Sequence, residues 1–416
     1  MGLNGRNVVV KDEYLLARTD PVRDMLASRG MKPDLDFIMG LYPPTQGEAA
    51  FDQEVISASL ERLVTFPEVS TGHPHLDLSV KTGLVFIDAT FQGDYPKYGV
   101  KQYGKSIADG FPPTIIAAVD ALSAWGLNAR AAQLFRYWTL NFIREDGWIN
   151  YGGTSLAELG QLLHTGSVLE SRAGAAGWWQ DAAPALERIA GNLLSQWNRT
   201  KGLLNGVPED DERKNAGCYF HNNAWAARGL AEWAELCLKL KRNPSVPVEA
   251  VMQAAAELRN VTLGAIQEHW PEDNSDWWLV PQAEPVERPA SMTATRLSSY
   301  TNYRYWPELL ASGILPRDMA NRLVEARLSG GGQFCGMSRF SDWLDDWPLA
   351  DYLYGLWALG RKDDFLLSLY GHVAYHQAQG HLTAYEQVAF PPGQMLWPYC
   401  LPCQLVAARA ARLLVK

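Results

Sequence analysis

The sequence lacks the features that would place the protein in a membrane or on nucleic acid. No segment approaches about 18 uninterrupted apolar residues, the length typical of a membrane-spanning helix. Residues 1–22 lack the apolar run of a signal peptide, so we expect a cytoplasmic protein, or a secreted one if a leader has been removed. The net charge is −9 and no basic stripe is present, so neither nucleic acid nor a membrane is an expected partner.

Cysteine is scarce and irregularly spaced. The five cysteines are Cys218, Cys237, Cys335, Cys400 and Cys403, an odd number with only one CxxC pair. A single CxxC is weak evidence for redox or metal chemistry, and two small residues near a helix start explain it better. The sequence therefore favours a reducing compartment.

One pair of histidines has a spacing that would suit a metal. His372 and His376 lie one helical turn apart on the same face of a predicted helix. No third ligand occurs at a suitable spacing, so we expect neither a metal nor an organic cofactor.

Aromatic residues, by contrast, are abundant, with 16 Trp, 17 Tyr and 13 Phe. Aromatic side chains dominate the buried area of large cores, which explains most single rings. The alternative is a cleft whose rings stack on a ligand such as a sugar. Hydrophobic residues make up 47% of the chain, which is enough for a sizeable core.

The apolar spacing predicts one helix after another along most of the chain. Residues 1–50 are interpreted as an N-terminal extension and 51–416 as one helical domain. A short β-hairpin is predicted near residues 75–90, turning at Thr82-Gly83, because apolar positions alternate there. The predicted helices are Phe51–Phe66, Ile115–Trp125, Ala129–Ile143, Ser155–Glu170, Trp178–Trp197, Asn222–Leu240, Pro247–Gln267, Tyr300–Gly313, Arg317–Leu328, Trp347–Leu359, Asp364–Gln379 and Gln394–Leu414.

Several of these helices end in a similar Ala/Leu-rich segment that is stopped by glycine, as at Gly126 and Gly360. This weak repeat indicates recurring helical hairpins. About 12 helices would form six hairpins, which bury their apolar faces best by closing into a ring. We therefore predict an all-α fold, an (α/α)6 barrel with a small, partly β N-terminal extension, in preference to an open solenoid.

Two carboxylate-bearing loops carry the candidate chemistry. The segment 202–230 contains Glu209, Asp210, Asp211 and Glu212 in a loop between the fifth and sixth predicted helices, and Glu386 lies between the eleventh and twelfth. In a six-hairpin ring both loops open at the same end, across a funnel. Two facing carboxylates suit cleavage of a glycosidic bond, because one donates a proton to the leaving oxygen and the other activates water.

The chain resembles the six-hairpin glycosidase superfamily, which includes glucoamylases, trehalases, processing α-glucosidases and α-L-rhamnosidases. The resemblance covers about residues 50–415 and is carried by Asp109-Gly-Phe-Pro-Pro, Asp146-Gly-Trp-Ile-Asn-Tyr, Pro208-Glu-Asp-Asp-Glu-Arg and Ala384-Tyr-Glu-Gln. It implies an inverting hydrolase with Glu386 as the general base. The acid would be Glu209, Asp210 or Asp211; the family's Gly-any-Asp pattern points to Asp210, although Pro208-Glu209 departs from it. The large N-terminal β-sandwich of many relatives has no room here.

Polar and aromatic residues around these loops are candidates for binding a carbohydrate substrate. Asp109, Tyr98, Gln102 and Tyr103 could grip a terminal sugar, and Trp343 could be a stacking platform. The remaining candidates are Tyr151, Arg213, Tyr219, His221, Asn223, Trp225, Tyr385 and Trp397. Structural roles are the alternatives: Asn223 as a helix cap, His221 as a packed histidine, and Arg213 as the ion-pair partner of a neighbouring carboxylate.

Three other functions remain open at the level of sequence. A polysaccharide lyase on a related toroid would use Tyr219 or His221 as base, with Asn222 or Arg213 neutralising a uronic acid. A non-catalytic carbohydrate-binding barrel and a phosphorolytic enzyme are the others. The oligomeric state is expected to be a monomer or a small homo-oligomer.

Overall fold

A computed structural model describes most of the chain from residue 69 onward. The described residues are 69–99, 101–104, 106–151, 155–197, 200, 202–208, 215–272, 277–378, 382–389 and 399–415. The predicted extension at 1–50 and the predicted helix Phe51–Phe66 lie outside them.

The helices agree with the predicted ones from Ile115 onward to within a few residues, except at the start of the last, where 390–398 are not described. They are α1 (Pro74–Thr90), α2 (Pro112–Ala124), α3 (Asn128–Phe142), α4 (Leu156–Ala173), α5 (Trp179–Gln196), α6 (Phe220–Lys239), α7 (Val248–Glu268), α8 (Arg296–Tyr300, π-helical Thr301–Tyr305 and Trp306–Ala311), α9 (Arg317–Ser329), α10 (Leu349–Leu359), α11 (Lys362–Gly371 and π-helical His372–His376) and α12 (Leu401–Gln404 and Val406–Ala411).

The β-hairpin predicted near residues 75–90 is wrong, because this segment is α1. Leu76, Val80, Leu84 and Ile87 all point into the core, and their spacing is helical. His73 caps the helix by accepting a hydrogen bond from the Leu76 backbone N–H (3.4 Å). The short apolar alternation resembled a strand, and packing against the rest of the barrel decides the outcome in favour of a helix.

Six helices form a closed inner ring. Among the described residues, α2, α4, α6, α8, α10 and α12 each contact the next, and α12 contacts α2. The odd-numbered helices form the outer layer. The predicted (α/α)6 barrel is therefore confirmed. The tightest inner contact is between α4 and α6, where a Cβ added to Gly160 would lie 2.2 Å from the Trp225 carbonyl oxygen.

The connections at the two ends of the ring differ in length. Those that lead from an outer helix to the next inner helix are long: 91–111, 143–155, 197–219, 269–295, 330–348 and 377–400. The inner-to-outer connections at the other end are shorter, with two to eight residues each. The acidic loop and Glu386 both belong to the long set, since they precede α6 and α12. The described ends of the 197–219 connection and the segment that carries Glu386 therefore lie at the same end of the barrel.

A four-stranded antiparallel sheet joins two of the long connections. Its strands are β1 (Gln333–Phe334), β2 (Met337–Phe340), β3 (Trp343–Asp345) and β4 (Gln387–Ala389), in the order β1-β2-β3-β4. In the β3–β4 register, Asp345 lies opposite Gln387. The sheet therefore places β3 directly beside the segment that carries Glu386.

A cavity of about 300 Å³ runs along the axis towards the end with short connections. Its wall includes Arg172 and Leu413, which lie near the carboxyl ends of inner helices. The wall also contains Asp120, which forms ion pairs with Arg172 (2.8 Å) and Arg409 (2.9 Å). Trp347 and Pro348, at the end of the 330–348 connection, also line this cavity. Within the described residues, no helix is long and apolar enough to cross a membrane.

Candidate active site

Glu386 is held by two tyrosine hydroxyls. Tyr98 donates to one carboxylate oxygen (2.5 Å), and Tyr103 donates to the other. Glu386 is half-buried, and burial raises its pKa to about 7, although the hydrogen bond from Tyr98 acts in the opposite direction. A carboxyl group with this pKa exchanges protons readily near neutral pH, which suits a general base or acid.

The backbone around Tyr98 is bound to the start of α12. The Tyr98 carbonyl accepts from the Leu401 N–H (2.7 Å), and Gly99 forms a β-bridge with Cys400. A Cβ at Gly99 would lie 2.2 Å from the Tyr399 carbonyl oxygen, so only glycine fits this approach. The chain that follows forms a short 3₁₀ helix, which returns Tyr103 to the Tyr98 ring (4.8 Å between centroids).

Beneath Glu386 lies a cluster of aromatic residues, which we call the floor cluster. It is formed by Tyr98, Tyr103, Phe111, Tyr219, Tyr300, Tyr303, Tyr305, Phe340 and Trp347. The predicted ligand Tyr151 packs on its edge through Phe111 (5.4 Å), and Tyr219 lies within it at 1% exposure. The aromatic residues of the described chain are thus divided between the main core and this cluster.

The acidic loop 209–212 itself, Arg213, the side chain of Gln102 and Trp397 lie outside the described residues. The two ends of the loop are described, and they come together in a pair of backbone hydrogen bonds between Gly206 and Gly217 (3.0 and 3.1 Å). Tyr219 donates its hydroxyl to the Asn215 carbonyl (3.3 Å), which ties one end of the loop to the floor cluster.

The other end of the loop is held by residues that the sequence suggested as ligands. His221 Nε2 lies 3.2 Å from the Pro208 carbonyl, and its ring stacks on Tyr305 at 4.3 Å. The pKa of His221 is lowered to about 3, mainly by burial and to a smaller extent by the positive charge of the nearby Arg304. The imidazole is therefore neutral, and its Nε2–H donates to the Pro208 carbonyl. Packed histidine was the alternative expected for this position, and the described geometry agrees with it.

Asn223 and Trp225 also have structural surroundings. The Asn223 amide donates to the carbonyls of Leu204 (3.1 Å) and Tyr219 (2.8 Å) and accepts from the Leu204 N–H (2.7 Å), which uses most of its capacity. Trp225 lines the axial cavity, beside Arg228. Neither residue is placed among the groups around Glu386.

Asp109 is anchored at the edge of the site. Its Oδ2 accepts from Lys97 (2.7 Å) and Tyr95 (3.0 Å), and its Oδ1 has no hydrogen-bond partner among the described residues. Trp343 and Tyr385 lie on or beside the sheet and are half-buried. The structure therefore brings Tyr98, Tyr103 and Glu386 into direct contact.

Sequence reasoning missed two buried aspartates on and beside β3. Asp345 Oδ2 accepts from Gln387 Nε2 (2.7 Å), and burial raises its pKa to about 8. Asp346 accepts from the Ser338 N–H (2.8 Å) and lies 3.0 Å from His372 Nδ1. Despite burial, His376 and His372 keep the Asp346 pKa below its usual range. The acidic Asp342–Trp347 segment was visible in the sequence, but its pairing with distant residues was not.

The two histidines with metal-like spacing are thus bound to protein groups. His372 contacts Asp346, and His376 Nε2 donates to the Tyr385 carbonyl (2.7 Å). Among the described residues no group of three or more His, Cys, Asp or Glu side chains is arranged to hold a metal ion.

Comparison with known proteins shows that the fold resembles that of several solved structures. No family model matches the chain, and no curated protein matches its sequence. A solved glycosidase in complex with glucose matches this chain with a TM-score of 0.59 and 15% sequence identity. The match covers 82% of this chain and 97% of the glycosidase chain. A rhamnosidase from Klebsiella oxytoca with rhamnose bound matches with a TM-score of 0.55 and 10% sequence identity. This match covers 83% of our chain and 64% of the rhamnosidase chain. A metal-independent α-mannosidase of Streptococcus pneumoniae matches with a TM-score of 0.54 and 12% sequence identity. This match covers 88% of our chain and 99% of the mannosidase chain.

These structures are α/α toroids, so the expected resemblance to six-hairpin glycosidases is confirmed for the fold. At identities of 10–15% the likeness concerns the fold alone.

Proposed function

We propose that the protein is an inverting glycoside hydrolase in which Glu386 is the general base. The observation that carries this proposal is the contact of both Glu386 oxygens with tyrosine hydroxyls, at the long-loop end of the barrel and with a pKa of about 7. A base whose pKa lies near the working pH accepts a proton while remaining ionised in a useful fraction of molecules.

In this mechanism Glu386 takes a proton from a water molecule as that water attacks the anomeric carbon. The bond from this carbon to the leaving oxygen breaks, and the oxygen receives a proton from an acid in the loop 209–212. Asp210 is the preferred acid, with Glu209 and Asp211 as its alternatives. An inverting pair requires the two carboxyl groups to be about 6.5–9.5 Å apart, which leaves room for the water. The reaction needs no metal or organic cofactor.

Tyr103 and Phe111, the partly exposed rings of the floor cluster, support a carbohydrate substrate, because aromatic faces pack against the apolar faces of sugar rings. Tyr103 has a second role, since it and the buried Tyr98 hold the base. The lyase alternative is less well supported: Tyr219 and His221 are each 1% exposed and are engaged with the ends of the acidic loop.

The test is a screen of aryl glycosides and oligosaccharides with the wild-type protein and with Glu386→Gln. Loss of the base is expected to lower kcat by about 100-fold or more, since general base catalysis contributes about 10²–10⁴-fold. Glu325→Gln is a matched control, because the Glu325 side chain is 56% exposed on α9 and bonds only Arg361 in the described structure. Equal turnover in Glu386→Gln and Glu325→Gln would contradict the proposal, and an ultraviolet-absorbing unsaturated product would indicate a lyase.

A further inference from the structure

The segment 385–387 is held on both sides of Glu386 by side chains that the proposed reaction does not use. On one side, His376 Nε2 donates to the carbonyl of Tyr385 (2.7 Å). On the other, Asp345 accepts from the side chain of Gln387 (2.7 Å). Both contacts come from residues that are at most 1% exposed. Glu386 is therefore the middle residue of a tripeptide that is fixed at both ends.

His376 packs beside a second buried pair, Asp346 and His372. Asp346 lies 3.0 Å from His372 Nδ1 and 3.6 Å from His376 Nδ1, and the two imidazole rings stack at 5.4 Å with an interplanar angle of 20°. Burial lowers the pKa of His376, and Nε2 carries a proton because the Tyr385 carbonyl can only accept a hydrogen bond.

The local backbone explains why this contact occurs. Residues His372–His376 form a π-helical turn at the end of α11, after which Gln377 is extended. Such turns are rare and often occur at functional sites. Gln377 then forms a β-bridge with Ala384, which brings the segment before Glu386 back alongside the π-helical turn.

The geometry points to His376 as a positioning residue for Glu386, acting through the Tyr385 carbonyl and supported from the other side by the Asp345–Gln387 hydrogen bond. This inference rests on the proposed function in one respect only, that Glu386 is the base. A displacement of about 1 Å in a catalytic group can cost about 100-fold in rate. The contact through His376 therefore matters for turnover even though the imidazole takes no part in the chemistry.

The first variant is His376→Phe, which keeps a flat ring and removes the N–H donor. His376→Gln is the conservative rescue, because its side-chain amide supplies a donor again. His164→Phe is a matched control: His164 also bonds a protein group, Glu232, but it lies in the middle of α4, in the wall of the axial cavity.

The readout that requires no substrate is the titration of Glu386. The full-length protein is labelled with a water-soluble carbodiimide and an amine across a pH series, and modification of the peptide that contains Glu386 is quantified by mass spectrometry. In the wild type the midpoint is expected near pH 7. In His376→Phe we expect it to fall towards the ordinary carboxyl range, because Glu386 leaves its half-buried position. His376→Gln is expected to restore it and His164→Phe to leave it unchanged.

On any glycoside that the wild type turns over, His376→Phe is expected to lower kcat by about 100-fold with little change in KM. A folded His376→Phe protein whose midpoint equals that of the wild type would overturn the inference. If His376→Phe does not fold, Gln387→Leu tests the same segment from the other side, with the same expected midpoint shift and the same contradicting result. A midpoint shift in a protein without glycosidase activity would support the positioning role and contradict the proposed function.

Discussion

Tyr98→Phe is expected to change the pH dependence of turnover in a direction that identifies the role of Glu386. The substitution removes one hydroxyl, which donates to Glu386 at 2.5 Å, and leaves the ring in the floor cluster. That hydrogen bond favours the ionised carboxylate, whereas burial favours the protonated acid and is the larger effect. Without the hydroxyl, the pKa of Glu386 should therefore rise above about 7.

The size of the rise follows from the strength of a hydrogen bond to a charged group. Such bonds contribute about 1.5–3 kcal/mol, and one pKa unit corresponds to about 1.4 kcal/mol. Because Glu386 is partly exposed and keeps its bond to Tyr103, we expect a shift of about one unit. At pH 6 the ionised fraction would then fall from about 9% to about 1%, a tenfold loss, while at pH 9 it would fall by only about a tenth.

The assay is kcat/KM against pH for the best substrate of the screen, with Tyr354→Phe as the matched control. Tyr354 also donates to a carboxylate, that of Asp120 (2.5 Å), but beside the axial cavity. A general base must be ionised, so the acid limb of the Tyr98→Phe profile should move to higher pH. If instead the variant retains activity to higher pH on the basic limb, Glu386 acts in its protonated form and the base assignment is wrong.

Three further predictions concern the barrel and the acid. Gly160→Ala should lower the free energy of unfolding by about 1–3 kcal/mol in chemical denaturation, because the new Cβ would meet the α6 backbone. The control Gly191→Ala should be neutral or stabilising, because a Cβ at Gly191 would have no neighbouring atom within 4 Å. Equal effects of the two substitutions would contradict the helix packing. Burial raises the pKa of Glu308 to about 7, so the stability it contributes is complete below about pH 4.5 and is lost as the pH rises through 7. Glu308→Gln should therefore gain in Tm relative to the wild type over that range, and a constant difference would refute this. If Asp210 is the acid, Asp210→Asn should slow glycosides with poor leaving groups far more than those with good ones, and a uniform loss would exclude it.

The helical barrel was predictable because apolar periodicity is a local property that survives in most of its helices. The exception, α1, has an apolar pattern in which alternation over a few residues competes with helical spacing over the whole segment. The order of helices then placed Glu386 at the end with the long connections without any knowledge of contacts. Topology, once the helices are counted, determines which connections share an end.

The surroundings of Glu386 could be predicted only in part. Tyr98 and Tyr103 were recognised as candidates from their position in a Tyr-rich loop, but their hydrogen bonds to a residue 288 and 283 positions away in the sequence are products of ring closure. His221 and Asn223 were suggested as ligands from residue type alone, and the structure shows them holding backbone carbonyls. Residue type indicates what a side chain is able to bind, whereas packing decides what it does bind.

The most direct test of the central claim is the anomeric configuration of the first product. Proton NMR during rapid hydrolysis of an anomerically pure glycoside distinguishes the two anomers before they interconvert. Attack of a water activated by Glu386 predicts a first-formed sugar with the opposite configuration to that of the substrate. A first product that keeps the configuration of the substrate would contradict the account.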